Sequence, residues 1–216
     1  MIRCVVFDFD GTLINSNEIK QRAYRDTLSD LVGAESFIDK ILSESPDGTR
    51  REVISHCLEC LAAADHADVL ITPETIDAFV QHYDRICIRR TSACEEIPGA
   101  SWVLNELRME YPLYINSGTP EVSLRTVVRN RSWDKYFKGV FGLPTTKVDN
   151  LVRIMRREMV EPDEFLFVGD RSCDLQASQL VGCPFVGVAS PGGDLDCEVV
   201  TCLSAVKCLP NVLRRL

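Results

Sequence analysis

The stretch Cys4-Val-Val-Phe-Asp-Phe-Asp-Gly-Thr-Leu-Ile-Asn-Ser-Asn17 decides how the rest of the chain is read. A β-branched and aromatic run, residues 2–9, predicts a buried strand. It stops on two carboxylates, Asp8 and Asp10, followed at once by Gly11 and Thr12. Two like charges at the end of a buried strand repel each other and lose water, so the pair needs something to offset it. Residues two apart on a continuing strand share a face, so Asp8 and Asp10 are expected to point together and Phe9 into the core. Clustered carboxylate oxygens suit a hard divalent cation such as Mg²⁺.

Downstream of that strand the pattern changes. Residues 16–90 show helical spacing broken at Gly33, at 45–48 and at Thr72-Pro73, which predicts four helices near 16–32, 35–43, 48–64 and 73–91. After residue 97 strand and helix alternate again. Strands are expected at 112–116, 139–141, 165–169 and 184–188, with helices at 99–109, 120–130, 147–159 and 173–181. The tail, 198–216, offers one more short strand and a terminal helix. Such alternation implies an α/β fold, a Rossmann-like three-layer arrangement around a parallel sheet. The expected division is residues 1–15 with 91–216 as the α/β core, and 16–90 as an inserted helical domain.

Ligands of open parallel sheets bind outside the carboxyl ends of the strands. There the sequence gathers Asp8 and Asp10 after the first strand and Asn116, Ser117, Gly118 and Thr119 after 112–116. Asp170 and Asp174 follow the strand at 165–169, and Lys147 begins the helix after 139–141. Ser117, Lys147 and the backbone around Gly118 suit phosphate oxygens, and the helix opening at 119–123 has an N-terminus that favours anions. All three histidines, His56, His66 and His82, lie in the helical insert, so a Ser–His–Asp triad at the strand edge is hard to build. Residues 142–147, Gly-Leu-Pro-Thr-Thr-Lys, lack the placement of a P-loop. An EF-hand needs glycine sixth in its loop; here Gly11 is fourth and follows a strand.

The bulk numbers narrow the partners. With 216 residues, 45% of them hydrophobic, the chain can bury a large core. A net charge of −8, from 24 basic and 32 acidic residues, argues against nucleic-acid or membrane-surface binding. Of the ten cysteines, Cys4, Cys87, Cys183 and Cys202 sit in apolar contexts, as small buried hydrophobes do; most of the thiols are expected to be reduced and the protein cytoplasmic. His56, Cys57 and Cys60 have metal-like spacing, but no second ligand pair answers them. Monomer and homodimer both stay open.

Taken in order, residues 8–13 (Asp-Phe-Asp-Gly-Thr-Leu), 116–120 (Asn-Ser-Gly-Thr-Pro), Lys147 and 169–174 (Gly-Asp-Arg-Ser-Cys-Asp) resemble the four motifs of the haloacid dehalogenase-like hydrolases. The helical insert resembles that superfamily's cap of the phosphoglucomutase and phosphoglycolate-phosphatase kind. The resemblance implies a Mg²⁺-dependent phosphatase acting on a small phosphorylated metabolite. In it Asp8 is the nucleophile that becomes an aspartyl-phosphate, and Asp10 is the acid and then the base. Asp8, Asp10 (through its carbonyl), Asp170 and Asp174 are implied as the metal site. Thr12, Ser117, Gly118 and Lys147 are implied to hold the phosphoryl group. Gly48 and Arg51 resemble a mutase cap loop, in which Arg51 holds a second anionic group of the substrate. A phosphosugar mutase shares these residues and is the alternative; a signalling phospho-acceptor domain also uses strand-end acids but is about half this length. Asn15 stands where many relatives carry an acid, and Val148 where many carry proline after the motif lysine.

Overall fold

The computed structural model describes residues 1–31, 35–44, 48–64, 70–190 and 193–195. Five strands form one parallel sheet: β1 Cys4–Phe7, β2 Leu113–Pro120, β3 Gly139–Leu143, β4 Phe165–Gly169 and β5 Phe185–Gly187. Their order is β3-β2-β1-β4-β5, so β1 is central, with β2 and β4 beside it. Val6 lies opposite Tyr114 on one side and Phe167 on the other. This register brings the carboxyl ends of β1, β2 and β4 together, and the doubly covered sheet explains why β1 and β4 are buried throughout.

Eight helices are described: α1 Asn17–Leu28, α2 Glu35–Glu44, α3 Arg50–Ala63, α4 Pro73–Ala93, α5 Ala100–Leu107, α6 Glu121–Asn130, α7 Lys147–Glu158 and α8 Ser172–Val181. The chain separates into two compact units, one of Met1–Asn17 with the chain from Thr91 onward, the other of Glu18–Arg90. The predicted strand and helix at 198–216 and the breaks at Gly33 and 45–47 lie outside the described residues. No helix among the described residues is long and apolar enough to cross a membrane.

In the α/β unit, α7 shows how sequence sets position. Thr146 caps it, its hydroxyl accepting the Asp149 N–H at 3.1 Å, a cap worth about 1 kcal/mol. Leu151, Ile154 and Met155 recur at helical spacing and pack with Val6, Tyr114 and Phe167 of the sheet. Lys147, on the first turn, is thereby held at the sheet's carboxyl end.

The helical unit has its own core of Ala23, Leu28, Ile54, Leu58, Tyr83 and Ile86, among others. Tyr24 stacks on Tyr83 with centroids 4.2 Å apart, and the Arg50 guanidinium lies 5.3 Å above the Tyr83 ring. Cys57 points into this core, while Cys60 Sγ lies 3.6 Å from His56 Nε2. The seven described cysteines, including these two, are free thiols.

The strand containing Ser117 is longer than the sequence predicts. The strand is expected to end at Asn116, yet β2 continues to Pro120 beside β3, through an irregular register between Asn116 and Pro120. A neighbouring strand supplies the pairing that local propensity does not.

Candidate active site

Asp8 follows β1 directly, and its N–H donates to the Val168 carbonyl of β4 at 2.8 Å. Asp170 follows β4 directly, and Asp174 lies on the first turn of α8, where its carboxylate accepts the Arg171 N–H at 3.1 Å. Asp8, Asp170 and Asp174 each place a carboxylate oxygen within 4.8 Å of the other two, and all three are buried. Lys147 Nζ donates to Asp8 Oδ1 at 2.8 Å and also pairs with Asp174.

Asp170 is steadied from three directions. Thr12 Oγ1 donates to its Oδ1 at 3.0 Å, Ser190 Oγ to its Oδ2 at 2.7 Å, and Asn17 Nδ2 to the same oxygen at 3.3 Å. Gly11 makes room for it. Its φ is +82°, and a Cβ there would stand 2.0 Å from Asp170 Oδ2, so only glycine fits both the backbone and the space.

Asp10 is set apart from this group. Its carboxylate accepts Ser16 Oγ at 2.6 Å on one oxygen, and Thr119 Oγ1 at 2.7 Å and Ser117 Oγ at 3.3 Å on the other. Phe9, between the two acids, is buried and meets Trp133 edge-on at 6.3 Å. Alternation along the chain therefore separates acid from core residue as expected, while the turn at Gly11 directs the two acids to different partners.

The electrostatics follow from burial. Loss of water pushes the Asp8 carboxyl up; Lys147 pulls it down, but Asp174, Asp170 and Asp10 push it further, and it ends well above the ordinary value. Asp170 is also raised by burial, against the pull of its Ser190, Thr12 and Asn17 donors. Burial opposes the charge on Lys147, yet Asp8 and Asp174 more than offset this and hold its ammonium above its usual range. Three buried acids with one lysine among them leave a surplus of negative charge. Hard oxygen donors carrying such a surplus fit a divalent cation of the Mg²⁺ kind.

Beneath the lysine, Asn116 Nδ2 donates to the Lys147 carbonyl at 2.9 Å, and Asn150 Nδ2 donates to Asn116 Oδ1 at 3.1 Å. Gly118 is exposed, and a Cβ on it would meet no described atom within 4 Å, which leaves open space beside Ser117.

Thr12, implied as a phosphate-binding residue, donates its buried hydroxyl to Asp170. Asp10, implied as a metal residue through its carbonyl, is not one of the clustered carboxylates, and its side chain accepts from hydroxyl donors. Arg51 pairs with Asp77 and Arg50 with Asp84, both inside the helical unit.

Ser16, Asn17 and Ser190 are not among the residues that the sequence gathers at the strand ends, and Thr119 is gathered there without a role of its own. For Thr119 a signal existed, since residues 117 and 119 share one face if the strand continues. Ser190 lies beyond the short strand β5 in a segment that reads only as a turn.

A family model described as haloacid dehalogenase-like hydrolase matches residues 5–188. A phosphoglycolate phosphatase of Rhodobacter capsulatus is 30% identical over 191 residues, which span 86% of this chain and 84% of that protein. Among solved structures, a Thermotoga maritima protein assigned as a β-phosphoglucomutase superposes with a TM-score of 0.76 at 18% identity, covering 100% of both chains. The HAD-hydrolase YfnB of Bacillus subtilis, bound to magnesium, superposes with a TM-score of 0.71 at 17% identity, covering 97% of this chain and 99% of that one.

Proposed function

This chain belongs to the haloacid dehalogenase-like hydrolases, and from that premise we propose that it is a Mg²⁺-dependent phosphatase of small phosphorylated metabolites. The observation that carries the proposal is the contrast between its two leading acids. Asp8 is buried against an ammonium; Asp10, two residues on, is ringed by hydroxyls. Groups in such different surroundings are suited to different tasks.

In this reading an Asp8 carboxylate oxygen attacks phosphorus, and the bond from phosphorus to the substrate oxygen breaks. Asp10 gives its proton to the departing oxygen. Asp10 then takes a proton from water as that water attacks the aspartyl-phosphate, which releases phosphate and restores Asp8. Splitting the displacement in two lowers each barrier, and a positioned acid contributes on the order of 10²–10⁴-fold. Lys147, the Ser117 hydroxyl and the backbone at Gly118 bind the transferring group. The N-terminus of α6, close behind on the chain, favours its charge.

Asp8, Asp170, Asp174 and the Asp10 carbonyl are the residues that would hold Mg²⁺. When bound, the ion supplies positive charge against the phosphoryl oxygens. The magnesium bound by YfnB, a protein of the same fold, supports the assignment. The helical unit, residues 16–90 by the division expected from sequence, is proposed as the cap that selects substrates. The free described thiols support a reducing, cytoplasmic setting.

The relative's activity makes phosphoglycolate the first substrate to try. A screen of phosphorylated metabolites with Mg²⁺, followed by inorganic phosphate release, tests the reading. Release of phosphate supports hydrolysis; an isomerised sugar phosphate without release overturns it in favour of a mutase.

A further inference from the structure

A second cleft lies at the other end of the same sheet. It is formed where the chain enters β2 and β3, so it sits at the amino ends of the strands whose carboxyl ends carry the candidate catalytic groups. The separation is about one strand length, roughly 15 Å. Its volume is about 480 Å³, within the span usual for small-molecule sites.

The lining is cationic in a chain that is acidic overall. Arg108, Lys135 and Lys138 face it, against a single acid, Glu110. Lys138 is already committed to Glu158 at 2.9 Å. Arg108 and Lys135 are not: among the described residues neither has an acidic partner within ion-pair distance. Instead both lie against one ring, with the Arg108 guanidinium 5.5 Å and the Lys135 ammonium 5.0 Å from the Tyr136 centroid. Tyr136 thus has two cations against its ring, neither of them in an ion pair among the described residues. Backbone donors add little, because the N–H groups of Met109, Glu110, Tyr111 and Tyr136 are spent on neighbouring carbonyls. Recognition therefore falls to the two cations, with the half-buried rings of Tyr111 and Phe137 beside them.

We propose that this cleft is an anion-binding site separate from the catalytic centre, for a small molecule carrying two phosphoryl or carboxylate groups. Two cations at one ring match two negative groups better than one, and the volume exceeds what a lone phosphate fills. The proposal does not depend on the phosphatase reading.

Calorimetric titration of the full-length protein in EDTA, with inorganic pyrophosphate and separately with citrate, tests it. Without metal the catalytic acids repel both anions. The expected result is saturable binding of at least one probe, weakened by salt. Affinity should fall about tenfold or more in the Arg108→Ala/Lys135→Ala variant, whose phosphate-release rate stays that of the wild type. Arg108→Gln, which keeps most of the stem, should weaken binding in the same direction and guards against a folding defect. Lys147→Ala should bind as the wild type does. Binding of neither probe below about 1 mM, binding that survives the double substitution, or binding lost with Lys147 would each overturn the proposal. A pyrophosphate response without a citrate response identifies phosphoryl groups as the ligand chemistry, and the converse identifies carboxylates.

Discussion

The ammonium of Lys147 stands 2.8 Å from Asp8 Oδ1 and reaches Asp174 as well. One cation therefore ties the acid after β1 to the acid on α8, through a helix that begins at the lysine itself. Removing either end should have different consequences. Asp8→Asn keeps the shape and should lower phosphate release by about 10⁴-fold or more while the protein still unfolds cooperatively. Lys147→Ala should lower it by about 10²–10³-fold. A near-wild-type rate in Asp8→Asn would show that the nucleophile lies elsewhere.

Asp10 and Thr119 form the second pair to test. Asp10→Asn should fail most severely on alkyl phosphates, whose leaving oxygen needs a proton, and less on aryl phosphates. Thr119→Val removes the hydroxyl 2.7 Å from Asp10 and should reduce kcat by about tenfold with little change in KM. Thr119→Ser should restore most of the rate. Equal losses on both substrate types would count against the acid role of Asp10.

Metal and pH are expected to act on the same cluster. Asp8 and Asp170 have carboxyls raised above the ordinary 3.8. A raised folded-state value means that the folded form holds protons more tightly than the unfolded one. The stability this contributes is present at acid pH and is lost as pH rises through the folded-state value. Mg²⁺ should compensate when the acids are ionised. Its stabilisation, about 2.7 kcal/mol at a hundredfold excess over Kd, should appear as a larger rise in Tm at pH 8 than at pH 5. Asp170→Asn should abolish most of that rise. Differential scanning calorimetry with and without EDTA measures it, and an equal rise at both pH values would speak against these acids as the metal site.

Gly11→Ala probes the space beside Asp170. The added methyl meets Oδ2 at 2.0 Å on a backbone with φ +82°, and the left-handed conformation alone costs about 1–2 kcal/mol. Tm should fall, and the Mg²⁺-dependent shift should fall with it. Loss of Tm with a full metal response would assign Gly11 to folding alone.

Much of this arrangement is legible in the sequence. The apolar run before Asp8 and its counterpart at 165–169 fix two strands, and the strand-end rule then places Asp8, Asp170 and Lys147 at one edge. Asp8, Asp170 and Asp174 sit within 4.8 Å because β1 and β4 are neighbours in register. What stays hidden is whatever depends on partners far along the chain. Thr12, implied by the resemblance to hold the phosphoryl group, also donates its hydroxyl to Asp170, 158 residues on, which no local pattern announces. Ser190 carries no pattern at all, because its meaning lies in its bond to Asp170, which follows another strand. Strand β2 outruns its propensity because β3 pairs with it.

The two asparagines under Lys147 have a consequence of their own. Asn116 grips the lysine's carbonyl from the sheet, and Asn150 grips Asn116 from the helix. Strand and helix are thus riveted together at the residue proposed to meet the substrate. If Lys147 serves as proposed, its backbone is fixed in advance by this pair, and binding energy need not be diverted to assembling it.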